Sequence, residues 1–141
     1  MKRVMDLVVY HGHPWFRKGT LTAGNNTSIH FYQPGCARIE LTGDVVIGND
    51  SMVGAYTRIY THDHFHKGRD KTMFQMMKEN GVKWNKLVIG NDVWIHDGAT
   101  ILSQVTLIPD GCVIGANATL TKNPGPYEIW AGLPAHKVGV R

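Results

Sequence analysis

The spacing of aliphatic side chains constrains this chain more than any other feature, because they recur at every sixth residue. Within residues 87–120 (LVIGNDVWIHDGATILSQVTLIPDGCVIGANATL) the step occurs in two runs, displaced by one residue. The first run is Ile89, Ile95 and Ile101, and the second is Ile108, Ile114 and Leu120. Small or β-branched residues stand two positions before most of these aliphatics: Val93, Ala99, Cys112 and Ala118.

A period of six is typical of a β-helix. A short strand and a tight turn form one side of a coil, and three such sides of about six residues close a triangle of about eighteen. The aliphatic side chains point inward and stack from coil to coil, because no single repeat buries its apolar face alone. Corner sequences such as Gly90-Asn91-Asp92 suit this geometry. An ordinary β-sandwich would favour two-residue alternation instead. The sequence therefore predicts an all-β, parallel β-helix.

The register has two irregularities. Leu107 is an extra residue between Ile101 and Ile108, which we interpret as a bulge or a widened corner. The second irregularity lies in the first coil. Steps of six residues counted from Ile29 predict the following inward residues: Ile29, Gly35, Leu41, Ile47, Val53 and Ile59. Gly35 is the weak member, so we expect the first coil to be irregular.

Between Ile59 and Ile89 the repeat is interrupted. We interpret residues 61–86 as an inserted loop, with a short helical turn in TMFQMMKEN that ends at Gly81. Long loops without a repeat are usually functional. The methionines of this loop are too apolar for a free loop, and we expect them to pack, for example on a neighbouring subunit. The chain is thus one domain: an N-terminal cap at 1–28, first coils at 29–60, the inserted loop, main coils at 87–121 and a C-terminal tail at 122–141.

Composition narrows the functional classes. The chain has 141 residues and 43% hydrophobic side chains, which suits one globular domain. No apolar run is long enough to span a membrane. Cys36 and Cys112 form no metal motif and are typical of reduced thiols in a cytoplasmic protein. The formal net charge is +4. Since no basic motif is interleaved with aromatic residues, we favour a phosphorylated small molecule or a nucleotide cofactor over nucleic acid.

Three segments resemble a known family. They are IGNDVWI at 89–95, VIGANATLTK at 113–122 and EIWAGLPA at 128–135, all after the histidine-bearing loop at 61–66. Residues 29–141 are similar to the hexapeptide-repeat acyltransferases, in particular the maltose and galactoside O-acetyltransferases and the sugar acetyltransferases of surface-polysaccharide pathways. The resemblance implies a left-handed β-helix, a hand opposite to the usual crossover rule. It also implies a homotrimer whose active sites lie between subunits, with acetyl-CoA as the acyl donor.

The implied chemistry needs one base, which takes a proton from a sugar hydroxyl or amine as it attacks the thioester. His64 is five residues after Ile59, the register of the catalytic histidine in the galactoside and maltose branch. His62 is the second candidate. Whether transfer goes to oxygen or nitrogen stays open, as does the acceptor: a sugar, a sugar nucleotide or a surface-polysaccharide precursor.

The resemblance also implies a set of residues that bind acetyl-CoA. The backbone N–H groups of Asp97 and Ala116 would contact the cofactor, and basic residues would contact its phosphates. Trp94 either lines the pantetheine channel or packs under the insert. The remaining candidates are Thr121, Lys122, Lys137 and Arg141.

Two alternatives remain. The γ-type carbonic anhydrases share the architecture and bind zinc through three histidines, two of them spaced His-x-x-x-x-His. His96 has Asn91 and Ile101 at that spacing, so we expect no metal site. The second alternative is a non-catalytic β-helix scaffold, which would not bind acetyl-CoA.

Overall fold

The computed structural model describes residues 18–30 and 35–141, in which the chain winds through four coils of three short strands each. Coil 1 contains β1 (Leu21–Ala23), β2 (Ser28–Ile29) and β3 (Arg38–Ile39), and coil 2 contains β4 (Val45–Ile47), β5 (Met52–Val53) and β6 (Arg58–Ile59). The insert contains β7 (His62–Asp63), α1 (Met73–Asn80) and β8 (Lys83–Trp84). Coil 3 contains β9 (Leu87–Ile89), β10 (Trp94–Ile95) and β11 (Thr100–Ile101). Coil 4 contains β12 (Leu107–Ile108), β13 (Val113–Ile114) and β14 (Thr119–Leu120), and the tail contains β15 (Glu128–Gly132) and β16 (Ala135–Val140).

Corresponding strands of successive coils pair in parallel and form the three sides of a prism. Sheet 1 is β1-β4-β9-β12, sheet 2 is β2-β5-β10-β13-β15-β16, and sheet 3 is β3-β6-β11-β14. We name the turns between them corner A (sheet 1 to sheet 2), corner B (sheet 2 to sheet 3) and corner C (sheet 3 to sheet 1). The predicted parallel β-helix is confirmed. Its coils begin at β1, so residues 21–28 belong to coil 1 and not to the predicted cap; residues 1–17 of that cap lie outside the described residues.

The inward side chains form the predicted columns. On sheet 2 the column is Ile29, Val53, Ile95, Ile114 and Trp130, each at most 8% exposed. In sheets 2 and 3 of coils 3 and 4, the residue two positions before each inward aliphatic is also buried, as predicted. These residues are Val93, Ala99, Cys112 and Ala118. Burying an isoleucine contributes about 1.5–3 kcal/mol, so the stacked columns are the main source of stability.

The prediction for coil 1 was wrong at Gly35 and Leu41. Ile39 occupies the inward position, because it pairs with Ile59 on sheet 3, whereas Leu41 is buried in corner C. Gly35 lies in a turn at φ 116°. Corner B of coil 1 is longer than in the other coils, which displaces the six-residue count. At Leu107 the widened corner is confirmed: Leu107 itself pairs with Val88, and the extra residue is absorbed by residues 102–106.

The insert leaves the prism at corner C between coils 2 and 3. β7 and β8 pair in antiparallel fashion, His62 opposite Trp84, and so close the base of the insert. The predicted helical turn is α1. Thr72 caps its N-terminus in a capping box with Gln75, and Gly81 ends it at φ 70°.

The insert helix packs through one methionine. Met76 is buried, while Met73 and Phe74 are 63% and 59% exposed. The tail then returns along the prism, where β15 extends sheet 2 as a parallel strand and β16 pairs with it in antiparallel fashion.

Candidate active site at the insert

A buried carboxylate and a loop histidine meet where the insert leaves the prism. Glu40 follows β3 directly and is 3% exposed. His62 begins the insert, and its side chain is 17% exposed. His62 Nδ1 lies 2.8 Å from Glu40 Oε2. Because corner C of coil 1 stacks directly on corner C of coil 2, the two residues meet although they are 22 positions apart.

Two threonines complete the surroundings of the Glu40 carboxylate. The backbone N–H of Thr61 donates to Glu40 Oε2 over 3.1 Å, and the Thr61 hydroxyl lies 2.9 Å from the same oxygen. The hydroxyl of Thr42 donates to Glu40 Oε1. Thr61 is itself held by the N–H of Gly43, which donates to its hydroxyl over 2.8 Å. Both carboxylate oxygens of Glu40 are thus satisfied, as a buried charge requires.

These contacts keep Glu40 ionised. Burial raises the pKa of Glu40, but the hydrogen bonds from His62, Thr42 and Thr61 lower it more, and the pKa falls to about 2. An ionised carboxylate only accepts hydrogen bonds, so Nδ1 of His62 carries the proton. In neutral His62 the lone pair is therefore on Nε2, the geometry of an oriented general base.

His62 lines an open cleft of about 340 Å³ with residues of the next coil. The lining residues are Tyr60, His62, Asp63, His64, Leu102, Ser103 and Gln104. The ring of His64 meets that of His62 edge to face, with centroids 5.4 Å apart. His64 is exposed, and its backbone N–H donates to Asp63 Oδ1 over 2.8 Å. Both predicted base candidates therefore share one cleft, but the contact with a buried carboxylate described above belongs to His62.

The cofactor candidates are divided among the corners. Thr121 and Lys122 follow β14 at corner C, one coil beyond Leu102 of the cleft. The two coils are joined there by a hydrogen bond from the N–H of Leu102 to Leu120 O over 3.1 Å. The ammonium of Lys122 lies 5.4 Å from the centroid of the Trp130 ring. These two residues are on the same corner of the prism as His62.

Asp97 and Ala116 lie at corner B instead. Asp97 Oδ1 accepts the N–H of Ala55, the stacked residue of coil 2, over 2.8 Å. Ala116 is stacked on Asp97 in coil 4, and its methyl side chain has no acceptor to offer. Among the described residues, the N–H groups of Asp97 and Ala116 consequently donate no hydrogen bond within the chain. This is compatible with the predicted cofactor contact, which stays a prediction.

Trp94 lies on the outer face of sheet 2, next to corner B. It is 42% exposed, and its ring stacks on that of His96 at 3.7 Å between centroids. Its place next to corner B, away from corner C where the insert leaves the prism, is compatible with the channel wall, and the role of Trp94 stays a prediction.

Two basic residues of the tail, Lys137 and Arg141, already have acidic partners. Lys137 Nζ lies 2.8 Å from Glu128 Oε1, and its hydrogen bond, with those from Gly125 and Trp130, lowers the pKa of Glu128 to about 2. Arg141 reaches corner A, where its guanidinium lies 2.9 Å from Asp92 Oδ2. One chain therefore does not bring Arg141 and His62 to the same corner.

Sequence reasoning missed Glu40 and its two threonines. The signal was present, because RIELT places an acid directly after an inward isoleucine. The predicted register of coil 1 was wrong and placed Leu41 inward. Glu40 therefore had no defined position, and its role was not recognised. Within the described residues, no group of three histidine, cysteine or carboxylate side chains converges as a metal site would. In the same part of the chain, no helix is both long and apolar enough to cross a membrane.

Comparisons with known proteins identify similar chains. No family model matches. A probable macrolide acetyltransferase of Lysinibacillus sphaericus is 52% identical over 48 residues, which are 34% of this chain and 26% of the relative. A putative lipopolysaccharide biosynthesis O-acetyl transferase of Escherichia coli K12 is 27% identical over 126 residues, 85% of this chain and 60% of the relative. The chain thus spans less than two thirds of the length of either relative.

The fold is shared with solved acetyltransferases. The crystal structure of a hexapeptide-repeat-containing acetyltransferase from Vibrio cholerae superposes with a TM-score of 0.71 at 20% identity, over 91% of this chain and 68% of that one. The same Vibrio protein is also known in complex with acetyl coenzyme A. These similarities confirm the left-handed parallel β-helix with one long inserted loop and a short C-terminal tail. They also confirm the resemblance to hexapeptide-repeat acetyltransferases at the level of the fold.

Proposed function

We propose that this chain transfers an acetyl group from acetyl-CoA to a hydroxyl or amine of a saccharide acceptor, with His62 as the general base. The observation that carries the proposal is the Glu40–His62 pair in the cleft at corner C. The names of the relatives, which include a lipopolysaccharide O-acetyl transferase, support the reaction and the substrate class. His64 is the alternative base in the same cleft.

The proposed reaction uses this geometry in three steps. The acceptor hydroxyl or amine attacks the thioester carbonyl while Nε2 of His62 takes its proton. The tetrahedral intermediate collapses, and coenzyme A leaves as the thiol after receiving that proton. The negative charge of Glu40 stabilises His62 while it is protonated, and the hydrogen bond fixes the orientation of the ring. Holding the two substrates together supplies much of the remaining rate, so no covalent intermediate is needed.

We further propose that the active unit is a homotrimer, because the cofactor candidates are split between corners. The outer rows of two sheets are largely apolar: Val46, Val88 and Leu107 on sheet 1, and Met52, Trp94 and Val113 on sheet 2. If sheet 1 of one chain packs on sheet 2 of the next around a three-fold axis, corner C of one chain faces corner B of its neighbour. His62 and Lys122 then face Trp94, Asp97 and Ala116 of the next chain across one groove.

The trimer is tested by placing a charge on one of these faces. Leu107→Glu puts a carboxylate in the middle of the proposed interface, where an unpaired buried charge is strongly unfavourable. We expect a monomer in sedimentation velocity experiments and loss of acetyl-CoA binding. Thr119→Glu, on the outer face of sheet 3, is the matched control and should remain a trimer. A trimeric Leu107→Glu protein would rule out this arrangement of the sheets.

The activity is tested with an acceptor screen that uses radiolabelled acetyl-CoA. Neutral sugars, sugar nucleotides and acidic oligosaccharides form the main panel, and chloramphenicol and a macrolide are included because relatives carry those names. We expect transfer to a saccharide and thermal stabilisation by acetyl-CoA. If millimolar acetyl-CoA neither binds nor is consumed, the chain is not an acetyltransferase, and the scaffold alternative is favoured.

A further inference from the structure

One column of residues runs along corner C, two positions after the inward aliphatic of each coil on sheet 3. Its members, from coil 1 to coil 4, are Leu41, Thr61, Ser103 and Lys122. Thr61 supports the Glu40–His62 pair, and Lys122 is a candidate for cofactor binding. Ser103 stands between them, one coil from each, and neighbouring strands are about 4.8 Å apart.

The hydroxyl of Thr61 is used within the chain, whereas that of Ser103 is not. Thr61 Oγ1 lies 2.8 Å from the carbonyl oxygen of Glu40 and accepts the N–H of Gly43 over 2.8 Å. In coil 3 the residue that corresponds to Glu40 is Leu102, whose side chain offers no acceptor. Among the described residues, the Ser103 hydroxyl consequently forms no hydrogen bond.

Ser103 is nevertheless fixed in place. It is 9% exposed, and its carbonyl oxygen accepts the side-chain amide of Asn85 over 2.8 Å. Asn85 also donates its backbone N–H to Thr61 O over 2.9 Å, so it joins coil 3 to the base of the insert. In the part of the chain that the structure describes, every deeply buried side-chain oxygen or nitrogen has a hydrogen-bond partner. The Ser103 hydroxyl therefore belongs to the small exposed part of the residue, and Ser103 lines the cleft with His62.

In the proposed reaction the thioester carbonyl comes to this level of the cleft. The acceptor atom lies about 3 Å from Nε2 of His62, and the carbonyl carbon lies about 3–3.5 Å from the acceptor atom. The carbonyl is thus within about 6–7 Å of Nε2, and one coil spacing of about 4.8 Å falls inside that range. Since Thr121 and Lys122 are cofactor candidates on the following coil, the donor extends from coil 4 toward His62. Its acetyl end is then level with Ser103.

We propose that the Ser103 hydroxyl donates a hydrogen bond to the thioester carbonyl oxygen and holds the oxyanion that forms there. The proposal rests on the acetyltransferase function above and adds a catalytic residue to it. The acceptor oxygen or nitrogen bonds to the carbonyl carbon, the π electron pair moves onto the carbonyl oxygen, and His62 takes the acceptor proton. The C=O bond then re-forms, the C–S bond breaks, and the thiolate receives the proton from His62.

Gln104 is the other uncharged donor that coil 3 brings to the cleft. Its long side chain is exposed and would lose conformational entropy on ordering. A donor that is already fixed stabilises developing charge without this cost. The geometry therefore favours Ser103.

The test compares Ser103→Ala with Ser103→Thr, which keeps the hydroxyl. Labelled acetyl-CoA gives kcat and the two KM values, and calorimetry gives the Kd for acetyl-CoA. Isotope-edited infrared spectroscopy of acetyl-CoA with a ¹³C-labelled carbonyl gives the carbonyl stretching frequency in the binary complex. Thr100→Ala removes a hydroxyl from the outer face of sheet 3 in the same coil and is the matched control.

We expect kcat to fall by about 100-fold in Ser103→Ala, the effect of losing one donor to the oxyanion. The KM for the acceptor and the Kd for acetyl-CoA should change little, because the hydrogen bond is strongest in the transition state. Bound acetyl-CoA should show a lower carbonyl frequency in the wild type and in Ser103→Thr than in Ser103→Ala. The melting temperature of Ser103→Ala should equal that of the wild type, since its hydroxyl has no partner within the described chain. Thr100→Ala should match the wild type throughout.

The proposal is overturned if kcat or the carbonyl frequency is the same in Ser103→Ala as in the wild type. It is also overturned if only the KM for the acceptor rises, which would make Ser103 an acceptor contact, or if activity is lost together with a lowered melting temperature. A wild-type protein that neither binds nor consumes acetyl-CoA rejects the proposed function itself. A protein that acetylates equally well without the Ser103 hydroxyl keeps that function and rejects only this role.

Discussion

Corners A and C of the prism use the same hydrogen-bonding device for different purposes. At corner A, a side-chain oxygen of each coil accepts the backbone N–H of the coil before it. Asn49 accepts from Asn25, Asn91 accepts from Asn49, and Asp110 accepts from Asn91, at 2.7–2.8 Å. At corner C, Glu40 likewise accepts a backbone N–H, that of Thr61, but its carboxylate also holds His62.

The difference shows how a repetitive fold acquires a site. Corner A is a ladder in which each side-chain oxygen satisfies a backbone N–H of the preceding coil. At corner C the insert interrupts the stack, and the acceptor is a buried carboxylate that also contacts a histidine. The stability that Glu40 contributes depends on pH, whereas the contribution of the neutral amides of Asn49 and Asn91 does not.

The largest expected effect is at His62. His62→Asn removes the base that accepts the proton of the acceptor, and we expect kcat to fall by roughly 10²- to 10⁴-fold. The Kd for acetyl-CoA, measured by calorimetry, should stay the same, because the other cofactor candidates are intact. His136→Asn, on the exposed tail, serves as the control.

The same measurement on His64→Asn decides between the two bases. If His64→Asn abolishes turnover and His62→Asn retains it, the base is His64, and Glu40–His62 is a structural pair.

The next effect is at Glu40. In Glu40→Gln the amide can donate to Nδ1 of His62 and favour the tautomer whose Nε2 carries the proton and cannot act as a base. We expect kcat to fall by about 10- to 100-fold with little change in the KM for acetyl-CoA. Unchanged turnover in the variant, measured with the same acceptor, would show that Glu40 only stabilises the fold.

Acid unfolding measures the stabilising part of the role of Glu40. Its pKa is about 2 in the folded chain against 4.5 for the ordinary group, so the ionised form is favoured by folding. The sign follows: the contribution is complete above pH 4.5 and is lost as pH falls from 4.5 to 2. We expect a loss on the order of 2–3 kcal/mol over that range from this group. Denaturant titrations at each pH measure the free energy of unfolding. As pH falls, this free energy should decrease correspondingly less in Glu40→Gln than in the wild type.

The smallest effect is at corner A. Asn49→Ala removes the acceptor of the Asn25 N–H at an exposed corner, which costs about 0.5–1.5 kcal/mol. We expect the melting temperature to fall by about 3 °C with kcat unchanged. A loss of activity as large as in Glu40→Gln would mean that the two corners are not functionally distinct.

Much of the fold was predictable because the period and the burial are local. The ladder from Ile89 to Leu120, the small residues before each aliphatic and the capped helix α1 follow from short stretches of sequence. Coil 1 was not predictable in register, because its corners have unequal lengths and only pairing with coil 2 shows that Ile39 points inward.

The candidate site was predictable only in part. The position of the insert and its histidines are visible in the sequence. Glu40 was not found, because its partners Thr61 and His62 come from the following coil.

The sequence alone determined the architecture, since an aliphatic at every sixth residue is buried only when coils stack into a prism. It also determined which loop carries the candidate bases. Only the tertiary structure decided which histidine is held by a buried charge and how the cofactor candidates divide among the corners. These properties arise from contacts between coils, and the spacing within one coil carries no information about the side chain stacked above it.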